Sequence, residues 1–251
     1  APATARRDAP PSAPAPAAAA GNPFVDYLNT LSNASAGNEN ATAEAQSGNP
    51  FFQRVYVPNP LVELISEKLM GEGRNVILTG NAGDGKTTIA AEIYHRLTGQ
   101  WMPPLPRMSV PIDGKQLVIV KDMSELTAAE RADVLERPVA ARDSVYLVVT
   151  NTGTLLSSVR GLALEALDAA NVESELLTAL EADDIVPVLG ERFLLLNIGR
   201  TDSIETACSV LRRMLAGKNW EPCEECSLSG DCPLYANARL VQENAVVTIE
   251  R

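Results

Sequence analysis

Residues 80–87 have the spacing of a loop that binds phosphate groups. They read Gly-Asn-Ala-Gly-Asp-Gly-Lys-Thr and match the pattern G-x-x-x-x-G-K-[ST] at every fixed position. Glycines let the backbone curve so that N–H groups point inward at an anion, and a following helix adds its positive N-terminus. Lys86 is then expected to reach the β- and γ-phosphates of ATP, and the Thr87 hydroxyl to bind Mg²⁺. The residues expected to bind the nucleotide are Gly80, Asn81, Ala82, Gly83, Asp84, Gly85, Lys86, Thr87 and Thr88.

Acidic residues near this loop have different expected roles. Asp84 lies within it and would repel phosphates unless its side chain points outward, which favours a role in shaping the loop. Asp122 and Glu125 follow the apolar stretch 117–120. A site that hydrolyses phosphate needs one carboxylate near the metal and another that orients water, and we assign Asp122 and Glu125 to these catalytic roles. The alternative is that Asp122 only caps the helix beginning near Thr127.

A polar residue also follows another apolar stretch, 145–149. Asn151 stands two residues beyond it, where a side-chain amide can bond the γ-phosphate or the attacking water. It is our third catalytic candidate, and an ordinary turn residue is the alternative. Arg200 follows the last apolar stretch and is either close to the nucleotide or a solvated charge.

Three cysteines are grouped as C-x₂-C-x₅-C, at Cys223, Cys226 and Cys232. Two thiolates at C-x-x-C spacing can hold one ion, and a third can close back on it, so the sequence predicts a metal site. Zn²⁺ is the first expectation and an iron–sulfur cluster the second, while free thiols remain an open alternative. Cys208 is either a fourth ligand or a small core residue.

The elements that would position these residues alternate between strand and helix. Apolar stretches of strand character lie at 76–79, 109–112, 117–120, 145–149 and 193–198. Helical patterns lie at 61–70, 86–98 and 162–182, and after a capping box at 127–130. This alternation predicts an α/β fold of three layers, in which a mostly parallel five-stranded sheet is followed by a small cysteine-containing appendage.

Composition divides the chain into three parts. Residues 1–48 are rich in Ala, Pro, Ser and Asn and are expected to form a disordered leader, interrupted by an apolar island at 23–28. Residues 49–204 would form the nucleotide-binding core. Residues 205–251 would add a helix and the cysteine segment, and an end at Ile249-Glu250-Arg251, within an apolar run, suggests a truncated chain.

Charge and apolar patterning exclude some functional classes. The chain has 32 acidic and 21 basic residues, a net charge of −11, which argues against direct binding of nucleic acid by a broad surface. No apolar run reaches the roughly 18 residues that span a bilayer, so no membrane association is expected. The four cysteines do not form a disulfide framework, which favours a reducing cytoplasm.

The order of these features resembles the AAA+ and STAND branches of the P-loop ATPases. A phosphate loop, an acidic strand, a polar-tipped strand and a final strand follow one another over residues 51–200. The resemblance implies a sheet of order 5-1-4-3-2, in which an additional strand separates the loop strand from the acidic one. The chain departs from that pattern because it has no clear arginine finger and little room for a helical lid.

A narrower resemblance comes from combining the loop with the cysteines. Gly-Asp-Gly-Lys in the loop, Lys-Asp-Met-Ser-Glu at 121–125 and the cysteine segment from Trp220 to Asn237 resemble the N-terminal half of DptF-type ATPases. That family belongs to bacterial phosphorothioation-dependent DNA restriction systems, which act against phage. The resemblance implies an ATP-driven switch or motor subunit that works with other protein subunits. Two other functions stay open: a P-loop small-molecule kinase and a non-enzymatic module stabilised by nucleotide and metal.

Overall fold

The computed structural model describes six stretches of the chain: residues 21–31, 49–103, 105–112, 114–136, 143–160 and 169–244. These residues divide into two compact units. One unit contains residues 21–31 and 214–244, and the other contains the described residues between 49 and 213.

The larger unit is built on one six-stranded sheet. Its strands are β1 (Asn75–Thr79), β2 (Arg107–Ile112), β3 (Lys115–Val120), β4 (Ser144–Val149), β5 (Val186–Val188) and β6 (Phe193–Asn197). They lie in the order β2-β3-β4-β1-β6-β5. The four central strands β3, β4, β1 and β6 are parallel, and each edge strand is antiparallel to its neighbour. The carboxyl ends of β1, β3, β4 and β6 therefore meet at one edge of the sheet.

The sheet confirms the α/β class and the mostly parallel arrangement, and it corrects the strand count from five to six. The additional strand is β5, whose three residues include Pro187. Such a short strand carries no apolar run, and its proline is tolerated because β5 lies at the sheet edge. Without β5, the order is the one implied by the resemblance, with β4 between β1 and β3.

Helices cover both faces of the sheet, as expected for three layers. The helices of the larger unit are α2 (Phe52–Val55), α3 (Leu61–Ser66), α4 (Lys86–Thr98), α5 (Ala128–Glu136), α6 (Thr152–Arg160), α7 (Ala169–Leu180) and α8 (Ile204–Met214), whose last residue is assigned to the smaller unit. Ile77 of β1 packs on one face with α5, α6 and α7. Val76 and Leu78 pack on the other face with α3 and α4. Because successive strand residues alternate between faces, a strand buried on both sides is apolar throughout.

Two helix boundaries explain how the sequence fixes the position of α4 and α5. The C-cap of α4 is Gly99, whose N–H donates a hydrogen bond to His95 O. Gly99 has a left-handed φ of 70°, a conformation that glycine adopts readily. Before α5, the Thr127 N–H bonds a Glu130 carboxylate oxygen at 2.8 Å, and the Glu130 N–H bonds the Thr127 hydroxyl at 3.3 Å. This is the predicted capping box.

The smaller unit contains α1 (Pro23–Thr30), α9 (Glu221–Glu224) and α10 (Pro233–Glu243). Asn22 caps α1, since its side chain accepts a hydrogen bond from the Phe24 N–H at 2.9 Å. Phe24 is buried and its ring meets that of Trp220 edge to face, with ring centroids 6.0 Å apart. The apolar island at 23–28 is thus part of a packed helix.

This helix corrects the expectation of disorder for part of the leader, because residues 22–31 are ordered around Phe24. The division of the chain also differs from the expected one, since it falls at residue 214 and joins residues 21–31 to the cysteine segment. The remainder of the leader, the start of the predicted helix at 162–182 and the last residues of the appendage lie outside the described residues. No described helix is long and apolar enough to cross a membrane.

Candidate functional site

Residues 80–87, the glycine-rich loop, join β1 to α4 at the carboxyl edge of the sheet. The strand before and the helix after it confirm the predicted local context. Gly80, Gly83 and Gly85 have backbone φ values of 147°, 90° and 86°, which residues other than glycine rarely adopt. A Cβ at Gly80 would also stand 2.6 Å from a carboxylate oxygen of Asp84. The glycines are therefore required by the backbone path.

Lys86 is the first residue of α4 and carries a buried charge. It is 8% exposed, and its ammonium donates hydrogen bonds to the carbonyls of Gly80 and Asn81. Within the described part of the chain it forms no ion pair. A buried charge is normally paired with an opposite charge, and Lys86 has only neutral carbonyl oxygens.

Asp84 is bonded to the backbone of its own loop. Its carboxylate accepts a hydrogen bond from the Asn81 N–H at 2.6 Å. The carboxylate therefore fixes the curvature of the first half of the loop, in agreement with its predicted shaping role.

A turn that the sequence did not single out lies against the loop. It comprises Asn197, the last residue of β6, and the first two residues of the 3₁₀ helix Ile198–Arg200, and we call residues 197–199 the supporting turn. A Cβ at Gly199 would stand 3.2 Å from both the Asn81 amide nitrogen and an Asp84 carboxylate oxygen. The only sequence signal for this contact is a glycine two residues after the strand.

The end of β4 lies beside the start of the glycine-rich loop. The Thr150 N–H bonds Leu78 O at 3.0 Å, and the hydroxyls of Thr79 and Thr152 are 3.4 Å apart. Asn151 stands between Thr150 and Thr152 in the chain, just after the carboxyl end of β4. Its half-buried side chain makes no hydrogen bond to another described residue. The amide is thus available to a ligand.

Asp122 and Glu125 stand at the same edge of the sheet, beyond β3. One Asp122 oxygen accepts a hydrogen bond from the Ser124 N–H at 2.8 Å, so Asp122 caps a short 3₁₀ helix, Met123–Glu125. This is the capping role weighed as the alternative, although the capped helix precedes α5. Glu125 is exposed and pairs with Lys121 at 3.5 Å. Both acids follow the carboxyl end of β3, and each has a partner within its own segment.

Arg200 is paired with an acid. Its Nε and Nη2 atoms lie 3.1 and 2.9 Å from one carboxylate oxygen of Asp183, and both side chains are exposed. The guanidinium is therefore engaged at the surface beside the supporting turn.

The cysteines are not arranged as a metal site. Within the described residues, no group of three or more Cys, His, Asp or Glu side chains is placed to hold a metal ion. Cys223 is buried, and its sulfur accepts a hydrogen bond from the Asn22 amide at 3.1 Å. The thiols of Cys226, Cys232 and Cys208 are half-buried. In this arrangement the described residues offer neither Zn²⁺ nor an iron–sulfur cluster a set of three ligands.

Comparison of the chain with known protein families, curated proteins and solved structures gives no significant match.

Proposed function

We propose that this chain binds ATP with Mg²⁺ at the glycine-rich loop and hydrolyses it. The observation that carries the proposal is the buried Lys86 ammonium, which has no anionic partner among the described residues. It stands at the N-terminus of a 13-residue helix and inside a loop whose three glycines have positive φ angles. Charge, helix end and loop all favour a phosphate group in the same place.

The residues around the loop have distinct roles in this proposal. Phosphate oxygens replace the Gly80 and Asn81 carbonyls as acceptors for Lys86, which neutralises charge on the transferred phosphoryl group. Mg²⁺, when bound, would offset further phosphate charge, and the Thr87 hydroxyl and the Asp122 carboxylate would hold it. Asp122 can serve in this way because capping uses only one of its two oxygens.

Hydrolysis further requires a positioned water molecule. Asn151 orients that water or the γ-phosphate through its available side-chain amide. Glu125 accepts the proton that the water loses as its oxygen forms the new bond to phosphorus and ADP leaves. The Glu125 carboxylate must first separate from Lys121, and this costs little because the Glu125 side chain is 44% exposed.

The proposed role is that of a switch subunit in a larger assembly. Support comes from the sheet order, in which β4 separates the loop strand from the acidic strand as in the ATPase branches that the sequence resembles. Membership of a DNA restriction complex rests on the loop and cysteine motifs alone. In that setting, contacts to DNA would come from partner subunits, since this chain has a net charge of −11.

Lys86→Ala tests the binding site. Calorimetric titration of the wild-type chain with ATP and Mg²⁺ should show one site, and Lys86→Ala should weaken binding by about a hundredfold or more, as expected for a desolvated charge. Lys68→Ala is the matched control, because it also removes one positive charge but from a surface pair with Glu72. Equal affinity in wild-type and Lys86→Ala proteins would refute the site.

The reaction itself is tested by following the labelled γ-phosphate. Release as inorganic phosphate supports hydrolysis, whereas transfer to an added hydroxyl compound would support a small-molecule kinase. ATP that remains intact in the bound state would support a nucleotide-stabilised module without catalysis. Each outcome contradicts the other two.

A further inference from the structure

We infer that the supporting turn, residues 197–199, packs against the glycine-rich loop and sets the affinity of the loop for nucleotide without contacting the nucleotide. This inference rests on the proposed function. It gives Gly199 and Asn197 a positioning role that the motif itself does not contain.

The first argument is the closeness of the two backbones. A Cβ at Gly80 would stand 3.1 Å from the Gly199 nitrogen, so loop and turn touch where neither has a side chain. In the other direction, a Cβ at Gly199 would meet the Asn81 amide and the Asp84 carboxylate, each at 3.2 Å. At these distances the facing ends of the Asn81 and Asp84 side chains must shift by a few tenths of an ångström to admit a methyl group.

The second argument is that the turn is itself anchored. The Asn197 side chain accepts a hydrogen bond from the Gly199 N–H at 3.1 Å and donates one to Leu180 O, at the end of α7, at 2.7 Å. Arg200, the next residue, is paired with Asp183. The supporting turn that packs against the loop is thus held by a hydrogen bond to α7 and by an ion pair with the segment that follows α7.

The third argument is that the residues in contact with the turn, Asn81 and Asp84, also make the hydrogen bonds that shape the binding site. Asp84 and the Asn81 N–H form the bond that shapes the loop, and Asn81 also supplies a carbonyl to Lys86. A methyl group at position 199 would therefore press on the side chains of the two residues that form this bond, one of which also supplies an acceptor to Lys86. Because the turn acts on the empty loop, it should affect binding more than the chemical step.

Gly199→Ala tests this inference, with Gly217→Ala as the matched control. Gly217 begins another 3₁₀ turn, and a Cβ there would meet nothing within 4 Å. Gly199→Ala should raise the Kd for ATP with Mg²⁺ by about fivefold or more, as expected from overpacking. Gly217→Ala should leave it unchanged. The rate at saturating ATP should change by a smaller factor than the Kd.

A double-mutant cycle separates a local effect from general damage. Asn81→Ala removes the side-chain amide that a methyl group at position 199 would meet while keeping the backbone groups of residue 81. Gly199→Ala should therefore weaken binding by a smaller factor in the Asn81→Ala protein than in the wild type. Restoration of folding by Asn81→Ala would give the same support if Gly199→Ala alone folds poorly.

The outcomes distinguish this inference from the proposed function. A wild-type chain that does not bind ATP refutes the proposed function and needs no variant. A wild-type chain that binds, together with an unchanged Kd in Gly199→Ala, refutes only the inference. Effects of Gly199→Ala that are equal in the two backgrounds also refute it, because they would show that the turn does not act through Asn81.

Discussion

At the scale of single residues, substitutions of Asp122 and Glu125 can separate the charge of each side chain from its hydrogen-bonding capacity. Asp122→Asn keeps an oxygen that can cap the Ser124 N–H, and Glu125→Gln keeps the shape of that side chain. The double variant should bind ATP with an affinity close to that of the wild type. Its phosphate release should be slower by about 10²–10⁴-fold, since proton acceptance and metal binding both need the negative charge.

The measurement combines calorimetric titration with phosphate release at saturating ATP. Glu136→Gln is the control, because it removes one exposed carboxylate from the end of α5. Normal turnover in the Asp122→Asn, Glu125→Gln protein would exclude both residues from the mechanism.

The sequence predicted some of these residue-level features because they depend on the local backbone. The positive φ angles of the glycine-rich loop and the hydrogen bond between Asp84 and Asn81 depend on residue types within a span of eight positions. The contact between Gly80 and Gly199 does not, because it joins residues far apart along the chain. The pairing of Arg200 with Asp183 likewise depends on how β5 and β6 bring the two residues together, which the local sequence does not show.

At the scale of elements, the packing of α1 gives a measurable contribution. Phe24 is 1% exposed and lies against both Tyr27 and Trp220. Phe24→Ala should lower the free energy of unfolding of the smaller unit by about 3–5 kcal/mol, the usual cost of truncating a buried phenylalanine. Asn29→Ala, at an exposed position of the same helix, should change it by less than about 0.5 kcal/mol.

Trp220 provides the signal for this measurement. In a Trp101→Phe background it is the only tryptophan, and its fluorescence during urea unfolding reports on the smaller unit. Equal midpoints for Phe24→Ala and Asn29→Ala would show that α1 does not stabilise this unit.

The same element shows why the sequence predicted the central strands but neither α1 nor β5. A strand buried on both faces has a continuous apolar run, as in β1 and β4. The apolar residues of α1 are few and stand between polar segments, so their burial depends on Trp220, which is distant in sequence. For the cysteines, C-x-x-C spacing predicted a metal site, and among the described residues no three ligands are placed to hold an ion.

At the scale of the whole molecule, the division into two units allows stabilisation by a ligand to be measured separately in each unit. The glycine-rich loop and Trp101 belong to the larger unit, and Trp220 belongs to the smaller one. A ligand that binds only the folded state stabilises it by about 2.7 kcal/mol at a concentration of 100 times its Kd. For a unit of this size that corresponds to a rise of roughly 5–10 °C in the unfolding midpoint.

We expect ATP with Mg²⁺ to produce this rise in the Trp101 signal of a Trp220→Phe protein. The Trp220 signal of a Trp101→Phe protein should shift by a smaller amount, because the site that binds the ligand belongs to the other unit. Lys86→Ala should abolish the shift in the Trp101 signal, while Lys68→Ala should keep it. A Trp220 midpoint that rises as much as the Trp101 midpoint would mean that the chain unfolds as one cooperative body. A Trp101 midpoint that does not move at saturating ATP would show that the larger unit has no nucleotide site.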